Sequence, residues 1–304
     1  MVGLIVLLAI FGLIVWVATT NNQIPLIERS NPLIDAPGSH VEIGGLAVHV
    51  RTLGPADGET VVLVHDDTVA GGATLTRLGG ELADRGYRVL VPDLVGFGYS
   101  SKPTSPGRVY TVTGQTEVLA ELLTSLEAKP GLAVGFGWGG AVAAELAVTY
   151  PDAVAALALV NTADLPPAPS GWESVEALPW VGRAFSFSRH GATDRARQAF
   201  FEGCGVGGWC NDEEVTEGFR RATSAPGTAE SVRARRASGR ASVAGGRLGE
   251  VDAPVVVVGS SSVSATDLRE LASRFPAAEV RSLPGLGERV ELSAPAQVAD
   301  LIVP

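Results

Sequence analysis

The chain is short of lysine: Lys102 and Lys129 are the only two, and the remaining cationic side chains are Arg and His. With 33 Asp and Glu against 23 Lys and Arg, the formal net charge is −10. That balance argues against a nucleic-acid partner, because a phosphate backbone needs a cationic face. Cysteine is scarce as well. Cys204 and Cys210 share one Gly-rich stretch, C-G-V-G-G-W-C, whose spacing is not a zinc pattern and is too wide for a C-x-x-C redox pair. A small loop disulfide in an oxidising compartment and two separate thiols both fit it. There is no low-complexity tract and no repeat, and 46% hydrophobic against 18% charged residues is a globular composition. No cofactor and no metal is expected.

Charge is also missing from the N-terminus. Val2 to Ala18 is an unbroken apolar run with no Lys or Arg before it. Seventeen residues at about 1.5 Å each give roughly 25 Å, near the lower limit for a membrane span. Thr19 and Thr20 can extend it, and Trp16 stands where an interfacial aromatic belongs. A secretory signal usually carries a basic n-region and a small-x-small cleavage site; both are lacking, since Trp16 takes the −3 position for cleavage after Ala18. A core helix rarely starts at residue 2 without a polar face. Residues 1–20 are therefore read as a single-pass membrane anchor, ahead of a cleaved signal or a core helix. Residues 21–39, with Asn21, Asn22, Pro25, Pro32 and Pro37, read as an extended linker. Glu28, Arg29 and Asp35 nearly cancel, so orientation is weakly specified, with the extracytoplasmic side slightly favoured.

From residue 40 the pattern changes to short apolar runs alternating with amphipathic stretches. V-E-I-G-G-L-A-V-H-V-R (41–51) is a hairpin turning at Gly44-Gly45, and T-V-V-L-V-H (60–65) is a continuous β-branched run suited to a strand buried on both faces. Strands are also expected at 87–94, 131–136, 154–161, 253–259 and 279–283, with helices at 75–85, 111–128, 138–150, 265–274 and from about Ala294. Such β-α-β alternation predicts a mostly parallel sheet with helices on both faces. Residues 165–250 break the rhythm with Arg-rich helical pieces and read as an insertion, a lid over the C-terminal edge of the sheet, where open α/β sheets place their sites.

Three motifs sharpen this. V-P-D-L-V-G-F-G-Y-S-S-K-P (91–103) has the form P-D-x-x-G-x-G-x-S; V-G-F-G-W-G-G-A (134–141) aligns with the nucleophile elbow G-x-S-x-G-G; and L-V-H-D-D (63–67) aligns with a His-Gly oxyanion loop. Together with the order of elements, residues 40–304 resemble the α/β-hydrolase superfamily, its epoxide hydrolase, haloalkane dehalogenase and esterase-like branch. The resemblance implies an α/β-hydrolase fold with a nucleophile–acid–histidine triad. Fold does not carry function with it, so each position has to be checked.

Every one departs. The nucleophile position is Gly137, which has no side chain to attack with. The acid position, after the strand ending near 259, is Ser262, which brings no charge to an imidazole. The base position in L-P-G-L-G-E-R is Glu288. The oxyanion loop reads His65-Asp66-Asp67, and a carboxylate there opposes a developing negative charge. Gly137, Ser262 and Glu288 thus read as a degenerate triad, and Asp66, Asp67 and Trp138 as the former oxyanion site and pocket.

The other candidates have plain alternatives. His65 in this loop braces a turn, as the resemblance implies. His190 in the insertion is a surface or packing residue, and His40 and His49 lie in the first hairpin. Asp93 is a turn former. Asp66, Asp67 and Glu288 form a set that could take a cation or an amine, with solvated loop acids as the preferred reading. Trp138 either lines an apolar ligand site or packs. The cluster Arg233, Arg235, Arg236 and Arg240 is expected to be a solvated, salt-bridged helix face, with anionic headgroups or an acidic partner as the sharper alternative. The functional expectation is a membrane-anchored protein without serine-hydrolase activity that binds a small apolar ligand or a protein partner. A hydrolase using Glu288 or Asp66 as a relocated base, and a structural scaffold at the membrane, are the alternatives.

Overall fold

The computed structural model describes residues 2–28, 36–129, 131–163, 165, 171–202, 204, 206–239 and 241–303. The hairpin forms as the Gly44-Gly45 turn dictates, from β1 (Ser39–Ile43) and β2 (Leu46–Leu53). Then follow β3 (Thr60–Val64), β4 (Arg88–Pro92), β5 (Gly131–Phe136), β6 (Val154–Val160), β7 (Val255–Ser260) and β8 (Ala278–Leu283). They make one eight-stranded sheet in the order β1-β2-β4-β3-β5-β6-β7-β8, parallel from β4 to β8, with β2 antiparallel to both its neighbours.

The helices fall on two faces. In chain order they begin with α1 (Val2–Ile27), α2 (Thr76–Asp84), α3 (Val112–Ser125) and α4 (Trp138–Thr149). Between β6 and β7 lie α5 (Gly171–Glu176), α6 (Trp180–His190), α7 (Asp194–Phe200), α8 (Glu213–Ser224) and α9 (Thr228–Ser238). The chain closes with α10 (Ala265–Ser273), α11 (Val290–Ser293) and α12 (Pro295–Ile302). Val62 and Val64 join the core under α3, α4 and α10, whereas Val61 and Leu63 join the one under α2 and α12. That alternation is why β3 is apolar from Val61 to Val64: each face of the pleat meets a helix layer.

The first correction concerns the N-terminus. Helix α1 does not end near residue 20 but runs to Ile27 through Pro25, so the expected linker is helical over 21–27. Pro32, Arg29 and Asp35 lie outside the described residues. Residues Val2 to Val15 are exposed, and mean hydropathy reaches 2.8 in an 18-residue window of α1. From Trp16 onward the helix docks on the insert: Val17, Thr20, Asn21 and Ile24 are buried, and Ile24 packs with Phe187 and Ala229. Asn21 Nδ2 donates to the Trp180 carbonyl at 3.2 Å, and Arg183 donates to Asn21 Oδ1 at 3.2 Å. The Glu28 carboxylate accepts from Gly227 N (3.0 Å) and Ala229 N (2.9 Å), so it caps the start of α9 from another part of the chain. Polar residues that suggest a linker in isolation are satisfied by the insert, which no local pattern reveals.

Asp93 organises the loop after β4. It accepts from Gly72 N at 2.6 Å, Tyr99 N at 2.8 Å and His49 Nδ1 at 2.8 Å, while His49 Nε2 faces the Pro37 carbonyl at 2.7 Å. Both ring nitrogens of the buried His49 thus have acceptors. Gly98, at φ +44°, is required because an added Cβ would lie 2.1 Å from Asp93 Oδ2. Burial alone would raise the Asp93 pKa, but the His49 hydrogen bond and charge outweigh it and hold the carboxyl well below the usual range. A depressed carboxyl contributes stability that is complete above the unfolded-state pKa of about 3.9 and drains as pH falls towards the folded value. We expect the unfolding free energy to fall as pH drops below about 5, with a shallower slope in Asp93→Asn. Near neutrality that variant should cost about 3–5 kcal/mol, since it strands the His49 ring. Denaturant titrations of both proteins across the acid range check this; equal slopes would count against it.

Candidate functional site

Strand β3 ends in His65, Asp66 and Asp67, and β5 ends in Gly137 followed by Trp138 at the start of α4. The sheet sets these two ends side by side, since β3 pairs with β5. His65 is fully buried. Leu94 N donates to its Nε2 at 3.0 Å, so that nitrogen is unprotonated, and Nδ1–H donates to the Asp66 carbonyl at 2.7 Å. Burial lowers its pKa and keeps the ring neutral. Both nitrogens are therefore spent on the backbone, and His65 braces the loop.

The Asp66 carboxylate sits against the turn between β5 and α4. Trp138 N, the amide directly after the elbow residue, donates to Asp66 Oδ1 at 2.7 Å. Burial raises the Asp66 pKa, and the amides of Trp138 and Asp67 act against that rise. Gly137 sits at φ +49°, ψ −116°, and an added Cβ would lie 2.4 Å from Asp66 Oδ1 and 2.5 Å from its Cγ. Any side chain at 137 would meet both an unfavourable backbone conformation and the carboxylate. Gly137 and Asp66 are thus mutually dependent: the space a nucleophile would fill is taken by the acid.

Asp67 turns the other way, towards α9. Its Oδ1 meets Arg235 NH1 at 3.3 Å, and its Oδ2 is paired with Arg236 NH1. Arg236 also pairs with Glu173 (3.2 Å) and Glu176 (3.2 Å), and Glu176 meets Arg189 (3.1 Å) and His190 Nε2 (3.1 Å). Burial pulls the Arg235 pKa down to about 10, and its guanidinium lies 3.6 Å over the Phe97 ring. Arg236 is also desolvated, but three carboxylates more than compensate and raise its pKa. Two expectations are corrected. Arg235 and Arg236 are not a solvated helix face but point inward, while Arg233 pairs with Glu230 and Arg240 lies outside the described residues. Asp66 and Asp67 are not solvated loop acids; the first is held by amides and the second by guanidinium groups, because the insert brings α9 down onto the end of β3.

Next to this cluster is a cavity of about 460 Å³ lined by Phe97, Tyr110, Trp138, Glu173, Arg235 and Arg236 among others. Trp138 is buried and lies 5.9 Å from the Phe97 ring, so it packs and lines at once. The size suits a small ligand, and the walls mix aromatic faces with guanidinium groups. Arg235 Nε is buried without a hydrogen-bond partner.

The loops that carry Ser262 and Glu288 converge as well, through Asn161 and Ser261. Asn161, at φ +49° directly after β6, accepts from Ser260 N at 2.8 Å and donates to the Glu288 carbonyl at 2.8 Å. Ser261 accepts from Gly285 N at 2.9 Å, and Ser262 Oγ bonds Ser260 Oγ at 2.8 Å. The two loops are therefore stitched together, with the Glu288 side chain exposed to solvent. Asn161 was not legible as a bridge; its only signal is a polar residue closing a continuous apolar strand. Glu291 also escaped the sequence reading. It is buried in α11, and burial pushes its pKa up to about 7.

A family model described as alpha/beta hydrolase fold matches residues 72–197. A haloalkane dehalogenase of Mycobacterium marinum is 34% identical over 116 residues, 38% of this chain and 38% of that protein. A cis-3-alkyl-4-alkyloxetan-2-one decarboxylase of Xanthomonas campestris pv. campestris is 32% identical over 142 residues, 45% of each. The chain spans less than half the length of these curated relatives. Among solved structures, a membrane phospholipase A described as a bacterial virulence factor superposes with a TM-score of 0.66 at 20% identity, covering 98% of this chain and 94% of that one. At that identity the likeness shows the fold.

The Asp66–Gly137 dependence gives a test. Gly137→Ser alone should cost about 2–4 kcal/mol, through backbone strain and overpacking against the carboxylate. Asp66→Gly frees the space, so the double variant should recover about 1–2 kcal/mol relative to the sum of the single changes. Denaturant unfolding of all four proteins measures the coupling, and strict additivity would show that the two positions do not compete.

Proposed function

The chain belongs to the α/β-hydrolase superfamily, and within it we propose a membrane-anchored, non-hydrolytic member that uses the cavity beneath its helical insert to hold a small ligand. The observation that carries this is the Asp66 carboxylate on the Trp138 amide. Hydrolysis in this fold needs that amide for an oxyanion, and here it is already bonded to the Asp66 carboxyl, which would have to leave before an oxyanion could take its place. Gly137 removes the nucleophile, and Ser262 removes the charge behind a base.

Relocated catalysis is less well supported. Glu288 is exposed, and Asp66 is held by backbone amides rather than aimed at a water site. The relatives' names refer to dehalogenation and decarboxylation in those proteins, with less than half of their length matched. The insert acts as the lid in this reading, since its α9 arginines close the cavity against Asp67.

Anchoring by α1 is supported by its exposed apolar half and by its docked second half. The likeness to the membrane phospholipase A extends over 98% of the chain and so into α1. Cys204 and Cys210 form a disulfide, which favours an oxidising, extracytoplasmic side for the domain.

Exposure of the purified full chain to a fluorophosphonate probe and generic esters should give neither labelling nor turnover. Replacing Gly137→Ser, Ser262→Asp and Glu288→His together should leave it inert while Asp66 stays, and adding Asp66→Gly should allow labelling. Labelling of the unmodified protein that one pocket substitution abolishes would overturn the reading. Native mass spectrometry of protein extracted from membranes should reveal a co-purifying small molecule that Trp138→Ala releases.

A further inference from the structure

The insert presents to solvent a set of large apolar side chains that its own packing does not explain. Trp172 is 56% exposed, Leu178 49% and Trp180 50%. They lie where α1 leaves the domain. Trp16 of α1 meets the Phe185 ring edge-on at 5.0 Å, Phe185 stacks with Trp172 at 6.4 Å, and the Arg189 guanidinium lies over Trp172 at 5.7 Å. Three linked aromatic rings and a cation thus sit at one level of α1, the level where its exposed apolar stretch ends.

We propose that this face of the insert is a bilayer-contact surface, seated at the boundary between acyl chains and headgroups; the proposal rests on the reading of α1 as a membrane span. The docking of α1 makes the case. Its exposed apolar stretch ends at Val15, and from Trp16 onward the helix is held against the insert by Trp16 on Phe185 and by Asn21 on Trp180 and Arg183. A span that ends at that level brings the exposed side chains of the insert beside it to the bilayer boundary. Interfacial helices bury their apolar faces by about 5–10 Å, a depth that exposed Trp and Leu side chains can reach. The exposed side chains fit such a boundary: Trp172 and Trp180 are amphipathic, Leu178 is apolar, and the Arg189 guanidinium covers the Trp172 ring. Asn21 meets no lipid, because Trp180 O and Arg183 satisfy its amide. Helix α5 also lends Glu173 and Ser174 to the cavity wall, so the bilayer face and the cavity share one short helix.

Site-directed spin labelling of the full chain in vesicles of phosphatidylcholine and phosphatidylglycerol tests this. The disulfide uses both native cysteines, so an introduced Leu178→Cys is the sole free thiol. Leu8→Cys reports the anchor and Asp57→Cys the solvated side of the domain, and all three positions are exposed, so folding is not at issue. A nitroxide at 178 should collide with oxygen several-fold more often than with a water-soluble nickel chelate, as at 8 and opposite to 57. A label at 8 deep in the bilayer with a label at 178 open to the chelate would overturn the proposal and leave the anchor standing. A label at 8 open to the chelate would remove the anchor and the proposal together. A label at 178 shielded from both reagents would place a second protein copy, not lipid, on the surface.

Discussion

The loop from His65 to Asp67 holds the molecule's separate parts in register, one side chain to each part. His65 ties the end of β3 to the loop after β4 through Leu94. Asp66 ties β3 to the start of α4 through Trp138. Asp67 ties the sheet to the insert through Arg235 and Arg236. Buried charge is costly unless paired, so removing Asp67 or either of its arginines leaves the other side uncompensated. The same constraint explains Gly137. With a carboxylate parked against the elbow, glycine is the residue that fits both the φ of +49° and the remaining space.

The proposed non-hydrolytic reading rests on more than one position. Lack of a nucleophile alone would leave the Trp138 amide and the cavity wall unchanged. Here the amide is bonded to Asp66, and Arg235 and Arg236 line the cavity. Asp93 shows the contrast: it does the turn-forming work implied by the P-D-x-x-G pattern, with His49 beside it, and nothing about it is altered.

Much of the fold was legible in the sequence. β-branched runs such as T-V-V-L-V and the Gly-closed helices place strands and helices to within a few residues, because those patterns report burial on one or two faces. Motif spacing singles out Gly137, Ser262 and Glu288 without any contact information. What could not be read was the destination of each charge. Asp67 and the α9 arginines lie about 170 residues apart, and Asn161 lies 99 and 127 residues from the two residues it bridges, Ser260 and Glu288, so their meeting is set by topology. Asn21 and Glu28 looked like linker residues for the same reason: their partners, Trp180, Gly227 and Ala229, belong to a distant part of the chain.

The Glu28 cap on α9 has a mechanical meaning. A domain on a slack tether sweeps a hemisphere above its attachment point and meets its ligands in three dimensions. With α1 in a bilayer, this domain has no slack, because the same helix that enters the membrane is pinned to α6 and to the start of α9. Its height and tilt are then those of the helix itself. Any rocking of α1 bears on α9, whose arginines wall the cavity, so lateral pressure in the membrane and the shape of that cavity become two readings of one lever.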